Sequence, residues 1–341
     1  MIKNETVFII GAGASKELNF PTGKELIDQI TKLLRNALNN GHYDDFSYAY
    51  RQSIQSYSGM QASKINELNI LMKQIAKALP LAASIDNYIH LKKDNADIQF
   101  LCKSAIATII LKYERLSNLF ENQYENKKFD PIKVKDTWYL NLSTLMFAGI
   151  TEDNIEDVFK KTSIVCFNYD RCIEQYFYLA LKAYFNISDI IAQKLIQNLN
   201  IIHPYGVIGN GLCNHGNVDG IDFGAEISAK NILNQVNKIK TFTEEYKDYA
   251  SVENIREQIY SAENIVFLGF GFIQQNMELM KPDLPSQKIK RVIATTYGAS
   301  SDDINNIEED IAKLIGRRVV PSTSKSKCAD LINDYGRSLI R

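Results

Sequence analysis

The stretch Thr6-Val-Phe-Ile-Ile-Gly-Ala-Gly-Ala-Ser15 decides how the whole chain is interpreted. Its first five residues are β-branched or apolar and end at Gly11, which is typical of a fully buried parallel strand. Glycines after such a strand let a ligand approach the backbone, and N–H groups at the start of the next helix can face an anion. The stretch therefore predicts a strand, a glycine turn and a helix start that could hold phosphate.

This turn matches the known nucleotide fingerprints only in part. Lys16 stands where the dinucleotide motif has its last glycine, and no strand ending in an acidic residue follows about 20 positions later. Gly23-Lys24 is followed by Glu25, which departs from a P-loop. A tight strand-to-helix turn without a ligand remains the alternative.

The rest of the chain divides into a helical stretch and an alternating one. Between 24 and 161 the apolar spacing is helical and no strand-like run stands out. Beyond it, helical patterns separate most of the strand-like runs, which are Ser163–Phe167, Asn200–His203, Ile265–Leu268, Arg291–Thr295 and Arg318–Val320. This alternation predicts an α/β fold: a Rossmann-like, mostly parallel sheet with helices on both faces. We expect one domain from 1–23 plus 162–341, interrupted by a helical insertion at 24–161.

Composition excludes several classes of protein. The 341 residues include 39 basic and 40 acidic side chains, which argues against a dedicated nucleic-acid or membrane-surface binder. No apolar run approaches the roughly 18 residues of a membrane span, and the N-terminus does not resemble a signal peptide. The five cysteines are widely spaced without a Cys-x-x-Cys pair, which predicts reduced thiols, a cytoplasmic protein and no metal site. A solvated face is expected for the basic cluster of Lys127, Lys128, Lys133 and Lys135.

Polar residues and glycines follow three later strands. Asn168 and Asp170 come after the second strand, where ligands of open α/β sheets bind, although Asp170 could equally cap the next helix. His203 follows the third strand and could accept a proton, but a lone histidine is more often structural. Gly269-Phe270-Gly271 follows the fourth strand and could lie against a dinucleotide or serve close helix packing. A second histidine, His215, lies in the glycine- and asparagine-rich stretch 209–216, where a mobile loop is expected.

In this order, the elements resemble the SIR2 family, whose fold is that of the sirtuins. The family's Gly-Ala-Gly-x-Ser motif matches Gly11 to Ser15, and Asn168 and Asp170 match its Gln-Asn-x-Asp motif with Phe167 in place of Gln. His203 aligns with the family's Leu-His-Gly histidine, although Pro204 and Tyr205 precede the glycine. Gly269-Phe270-Gly271 resembles the Gly-Thr-Ser motif with both polar residues lost.

Departures from the deacylase pattern favour one branch of that family. The zinc-binding cysteine pairs are missing, and Phe20-Pro-Thr-Gly23 replaces the Pro-Asp-Phe-Arg stretch. The chain is similar to bacterial SIR2-like proteins of anti-phage defence, which cleave NAD+, and Ser84-Ile-Asp-Asn-Tyr88 resembles a motif of that branch. This implies an NAD+ hydrolase that needs no metal. It is also compatible with a homo-oligomer and with a partner ATPase or phage-derived activator.

The resemblance implies a role for each candidate residue. Asn168 and His203 would be catalytic, the first orienting ribose or water and the second acting as general base. The residues expected to bind NAD are Gly11, Ala12, Gly13, Ser15, Thr22, Asp86, Asp170, Gly269, Phe270 and Gly271. For Asp86 a helix N-cap is an equal alternative. A non-catalytic sensor of NAD or ADP-ribose, or a protein deacylase, are the competing functions.

Overall fold

A computed structural model describes residues 1–39, 44–122, 124–210, 220–246, 248–284, 290–315 and 321–340. Within these ranges six strands form one parallel sheet in the order β3-β2-β1-β4-β5-β6. The strands are β1 Thr6–Ile10, β2 Thr162–Cys166, β3 Asn200–Ile202, β4 Asn264–Leu268, β5 Arg291–Thr295 and β6 Ser322–Ser324. This is a Rossmann-like α/β arrangement, in which the strand order reverses between β1 and β4.

Helices flank the sheet. They are α1 Ala12–Ser15, α2 Gly23–Leu38, α3 Asp45–Tyr57, α4 Ala62–Ala78, α5 Ile85–Leu91, α6 Ala96–Leu116, α7 Trp138–Phe147, α8 Cys172–Phe185, α9 Asp189–Gln197, α10 Ala229–Val236, α11 Phe242–Tyr246, α12 Tyr249–Ser261, α13 Gln274–Met280, α14 Ser301–Ile315 and α15 Cys328–Leu339. Side-chain caps start many of them. At α2, Thr22 accepts from the N–H of Glu25 while the Glu25 carboxylate accepts from the N–H of Thr22.

Strand β1 is the centre of the sheet. All five of its side chains are buried, because β2 and β4 hydrogen-bond to its two edges. The register aligns Ile10 with Cys166 on one side and with Leu268 on the other. The residues that follow these three strands therefore meet at one edge of the sheet.

The predicted strands are confirmed where the structure describes them. β1 and β5 have the expected bounds, β3 and β4 differ by one residue at one end, and β2 begins and ends one residue earlier than expected. The run at 318–320 lies outside the described residues, and the sixth strand is found at Ser322–Ser324. Residues 211–216 of the expected mobile loop, with His215, also lie outside them.

The region between β1 and β2 is helical. Its described residues contain one isolated bridge, between Asn122 and Lys127, and no longer strand. Later segments pack on this region: α10 lies against α3 and α6, and Lys103 of α6 pairs with Glu244 of α11 at 2.9 Å. The helical layer thus includes residues from both sides of the predicted boundary at 161.

Candidate functional site

Two glycine turns pack backbone to backbone where the strand order reverses. The N–H of Gly11 donates to the carbonyl of Leu268, and the N–H of Gly13 donates to the carbonyl of Gly269, both at 3.0 Å. A Cβ on Gly13 would lie 2.9 Å from that carbonyl oxygen. Gly269 itself has a φ of +56°, a left-handed conformation that favours glycine. Close packing between the turns therefore requires these glycines. The Gly13 N–H, which could otherwise donate to a phosphate, donates to the Gly269 carbonyl instead.

The Ser15 hydroxyl joins this turn to the end of β2. It donates to Asp170 Oδ1 at 3.1 Å and accepts from Asn168 Nδ2 at 2.9 Å. The same amide nitrogen also donates to the carbonyl of Gly11 at 3.1 Å. All three side chains are buried. The sequence-predicted residues Ser15, Asn168 and Asp170 thus form one hydrogen-bonded cluster.

Asp170 also serves the helix that follows it. Its Oδ1 accepts from the N–H of Cys172 at 3.1 Å, at the start of α8. The N-cap position of α8 is occupied by Arg171, so Asp170 binds the start of the helix from one residue before the cap, in addition to accepting from Ser15. Burial raises the pKa of Asp170 despite these hydrogen bonds, so the carboxyl group retains a proton at higher pH than an exposed aspartate does.

His203 lies directly behind Asn168. Its Nδ1 is 3.1 Å from the backbone carbonyl of Asn168, and its Nε2 is 3.0 Å from Glu174 Oε1. Both partners are acceptors, so a ring that satisfies both must carry a proton on each nitrogen. Its side chain is only 7% exposed, and that of Glu174 is 4% exposed.

Electrostatics agree with a charged His203 ring. Burial opposes the charge, but neighbouring Cys166 and Glu174 more than offset it and hold the pKa of His203 well above its ordinary value. Burial raises the pKa of the Cys166 thiol as well. In this arrangement the imidazolium orients the Asn168 backbone, and no ring nitrogen is available to accept a proton.

Asp86 reaches this region from the helical layer. It accepts a short hydrogen bond from the hydroxyl of Tyr169, the residue between Asn168 and Asp170. Its N-cap alternative is wrong, because Ser84 caps α5 by accepting from the N–H of Asn87. Burial raises the pKa of Asp86 above its usual range. This half of the site is closed: the ring of Phe167 packs on Phe270 with centroids 5.2 Å apart.

The other half is an open cavity of about 850 Å³ at the carboxyl ends of β4 and β5. Five of the sequence-predicted residues line it: Gly13, Thr22, Gly269, Phe270 and Gly271. Thr295 at the end of β5, and Tyr297 and Lys327 from the segments that follow, add polar groups. A cavity of this size is large enough for a nucleotide. The candidate residues thus fall into an open half and a buried half, joined by the turn from Gly11 to Ser15.

Glu17 lines the open cavity and binds the first turns of two helices. Its carboxylate accepts from the N–H of Trp138 at 2.7 Å and from the N–H of Ala329 at 2.9 Å. These N–H groups lie at the starts of α7 and α15, where a negative charge is favourable. Sequence reasoning missed Glu17, although it lies two positions beyond the glycine motif.

A buried ion pair supports the segment that contains Asp170. The Arg171 side chain is fully buried and binds Glu114 through two hydrogen bonds of 2.9 and 3.0 Å. Arg171 also donates to the carbonyls of Ile221 at 2.6 Å and Asp222 at 2.9 Å. These contacts fix the start of α8 against α6. Sequence analysis did not select either member of the pair.

Neither a metal cluster nor a membrane span is found in the described part of the chain. No three His, Cys, Asp or Glu side chains come close enough there to share an ion. No helix there has the length and apolar content to cross a bilayer. No protein-family model matches the sequence, and comparison with curated proteins found no significant match.

Proposed function

We propose that this protein is an NAD+ hydrolase of the SIR2-like type, which releases nicotinamide and ADP-ribose. One observation carries the proposal: Ser15, Asn168, Asp170 and His203 form one cluster at the sheet edge where the strand order reverses. In open α/β sheets this edge is where ligands bind. The adjoining cavity of about 850 Å³ has room for the adenosine half of the dinucleotide.

The reaction breaks the bond between the nicotinamide nitrogen and C1′ of the ribose. A water oxygen forms the new bond to C1′ and loses one proton, while the electron pair of the broken bond neutralises the nicotinamide ring. Positive charge develops on the ribose in the transition state, so nearby carboxylates and oriented dipoles accelerate the step. In this proposal Asn168 orients the ribose or water.

The proton acceptor follows from the hydrogen bonds of the cluster. His203 can act as the base only after losing a proton from its bond to Glu174 or to the Asn168 carbonyl. Asp170 is the alternative, because a carboxylate with a raised pKa is a better proton acceptor than an exposed one. Substrate entry into this half requires the ring of Phe270 to leave Phe167, which agrees with an enzyme that is inactive until triggered.

The proposal is tested by incubating purified protein with NAD+ and separating the products by chromatography. Asn168→Ala should abolish nicotinamide release. Asn264→Ala is the matched control: Asn264 is also buried and donates to a hydroxyl, that of Thr6 at 3.1 Å, but at the opposite end of the sheet. Equal activity of both variants would contradict the assignment. NAD+ binding is measured in parallel by calorimetry, and wild-type protein that does not bind NAD+ would end the proposal.

A sensor that binds NAD+ or ADP-ribose without cleaving it is the second candidate. It is favoured by the His203 ring, both of whose nitrogens face acceptors within the protein. Binding without nicotinamide release, in the presence of cell extract from infected bacteria as the source of a trigger, would support the sensor. The proposal also includes a role as NAD-depleting effector in anti-phage defence, a cytoplasmic location and assembly into oligomers. These three parts are consequences of the SIR2-like resemblance.

A further inference from the structure

A second cavity, of about 760 Å³, lies away from the candidate site. It is bounded by the end of α6 with the loop residues 120–122 and 124–128, by α8, and by the segment 222–225. None of its lining residues also lines the cavity beside Gly13 and Gly269. It is therefore a separate concavity, built largely by the helical layer.

Positive charge accumulates on one wall of this cavity. The Arg115 guanidinium lies 5.6 Å and the Lys127 ammonium 5.3 Å from the ring centroid of Phe120. Lys128 is exposed beside them. Within the described ranges, none of these three cations forms an ion pair with a carboxylate, whereas Lys182 at the far wall is paired with Asp189 at 2.6 Å.

Two carboxylates also line the cavity, Glu121 and Asp222. Glu121 is engaged locally, since its Oε1 accepts from the N–H of Phe129 at 3.0 Å. Three cations without an ion-pair partner in the described residues, Arg115, Lys127 and Lys128, therefore line this cavity, which contains two carboxylates. Burial lowers the pKa of Lys127, while the charge of nearby Glu125 acts in the opposite direction. The Lys127 ammonium donates to the carbonyl of Ser117 at 2.9 Å, which holds it at the edge of the cavity. The expectation of a solvated face is confirmed for Lys128, Lys133 and Lys135, which are exposed, whereas Lys127 is half-buried.

Aromatic rings line the cavity; Phe120 and Phe223 are held in place, whereas Tyr124 is fully exposed at its edge. Tyr124, Phe120 and Phe223 contribute rings to the lining. The segment with Phe223 is anchored on both sides: the N–H of Gly224 donates to Glu114 Oε2 at 2.9 Å, and its carbonyl accepts from Arg115 at 3.2 Å. Gly224 has a φ of +72°, and a Cβ there would lie 2.2 Å from the Phe120 ring. These contacts define the shape of the cavity before any ligand binds.

We propose that this cavity is a second ligand site, which binds a nucleotide: the unpaired cations would hold its phosphates and the aromatic walls its base. Phosphate recognition by cations and base recognition by stacking are the two interactions that such a surface offers. The site does not rest on the proposed NAD+ hydrolysis. Arg171 connects the two sites. It follows Asp170 of the candidate active site in the sequence, and it donates to the carbonyl of Asp222, which lines this cavity, at 2.9 Å.

The test titrates the full-length protein with an N-methylanthraniloyl derivative of ADP and follows its fluorescence. Lys128→Ala and Tyr124→Ala, both at exposed positions, should each weaken binding about five- to tenfold, the size expected for one charged or stacking contact. Lys133→Ala is the matched control for charge, and Tyr249→Ala, an exposed ring that lines neither cavity, is the matched control for the ring; Tyr297→Ala reports separately on the first cavity. Both controls should bind as the wild type does.

Three outcomes would overturn the proposal. The wild type could fail to bind the probe at millimolar concentration. Affinity could fall in Tyr297→Ala and not in Tyr124→Ala, which would place the probe in the first cavity. Inorganic pyrophosphate could displace the probe as well as ADP does, which would show that the aromatic walls contribute nothing. None of these outcomes depends on whether the protein hydrolyses NAD+.

Discussion

The packing of the two glycine turns predicts an order of stability among three Gly→Ala variants. Gly269→Ala places a Cβ 2.0 Å from the backbone nitrogen of Ala14 and forces alanine into a φ of +56°. Gly13→Ala places a Cβ 2.9 Å from the Gly269 carbonyl, without a left-handed φ. Gly271→Ala is the matched control, because the nearest atom to its Cβ is a side-chain carbon of Ile273 at 3.9 Å.

The magnitudes follow from two costs. A left-handed alanine costs about 1–2 kcal/mol, and an extra carbon in a tightly packed position costs about 1–3 kcal/mol. Gly269→Ala should therefore lower the free energy of unfolding by about 2–5 kcal/mol, since it carries both costs. Gly13→Ala carries only the packing cost and should lose about 1–3 kcal/mol. Gly271→Ala should change stability by less than about 1 kcal/mol.

Urea denaturation followed by circular dichroism measures the three values, and calorimetry with NAD+ gives the second readout. Gly271 lines the open cavity, so Gly271→Ala should weaken NAD+ binding while leaving stability unchanged. The reasoning is refuted if Gly269→Ala unfolds at the same urea concentration as Gly271→Ala. That result would show that the turns do not pack as described.

Three further predictions concern buried charges. Arg171→Met should cost about 3–5 kcal/mol, because Glu114 is left buried without its partner. Arg171→Met with Glu114→Leu should recover part of this loss, since the carbonyls of Ile221 and Asp222 and the N–H of Gly224 still lose their side-chain partners. A double variant as unstable as the single one in urea would contradict this. The imidazolium of His203 stabilises the fold fully below pH 6.5, and this contribution is lost as pH rises through the raised pKa. The melting temperature of the wild type, measured relative to that of His203→Gln, should therefore fall above pH 6.5. Parallel pH profiles of the two proteins would argue against a charged ring. Glu17→Gln places an amide N–H against a backbone N–H and should cost about 1–3 kcal/mol, whereas exposed Lys16→Gln should be nearly neutral in thermal melts.

Much of the sheet could be predicted from the sequence, because its central strands are local signals. The run from Thr6 to Ile10 is β-branched or apolar because both faces of this central strand are buried, and it ends at a glycine. Once parallel strands are assumed, their carboxyl ends must share an edge. The meeting of Ser15, Asn168 and His203 therefore follows from strand ends alone.

The chemistry of the cluster could not be predicted in the same way. The charge of His203 depends on Glu174, which lies in the first turn of α8, where an acidic residue is equally expected for the helix dipole. His203 and Glu174 are 29 positions apart in the sequence, and a contact over that separation leaves no periodic signal. The reason for the glycines at 11 and 13 likewise depends on Gly269, more than 250 positions later. The spacing of the glycines in the sequence predicted a phosphate site. In the structure, their first role is to let this turn pack against the turn at Gly269.

The central place of β1 delays completion of the site during translation. β1 emerges from the ribosome first, yet its two neighbours begin at Thr162 and Asn264. At about 5–20 residues per second, the ribosome takes roughly 10–50 s to reach β4. Until then the glycine turn has no opposing wall, and a prematurely terminated chain never acquires one. For the NAD+ hydrolase proposed above, this topology would confine the reaction to polypeptides in which β4 has already been synthesised.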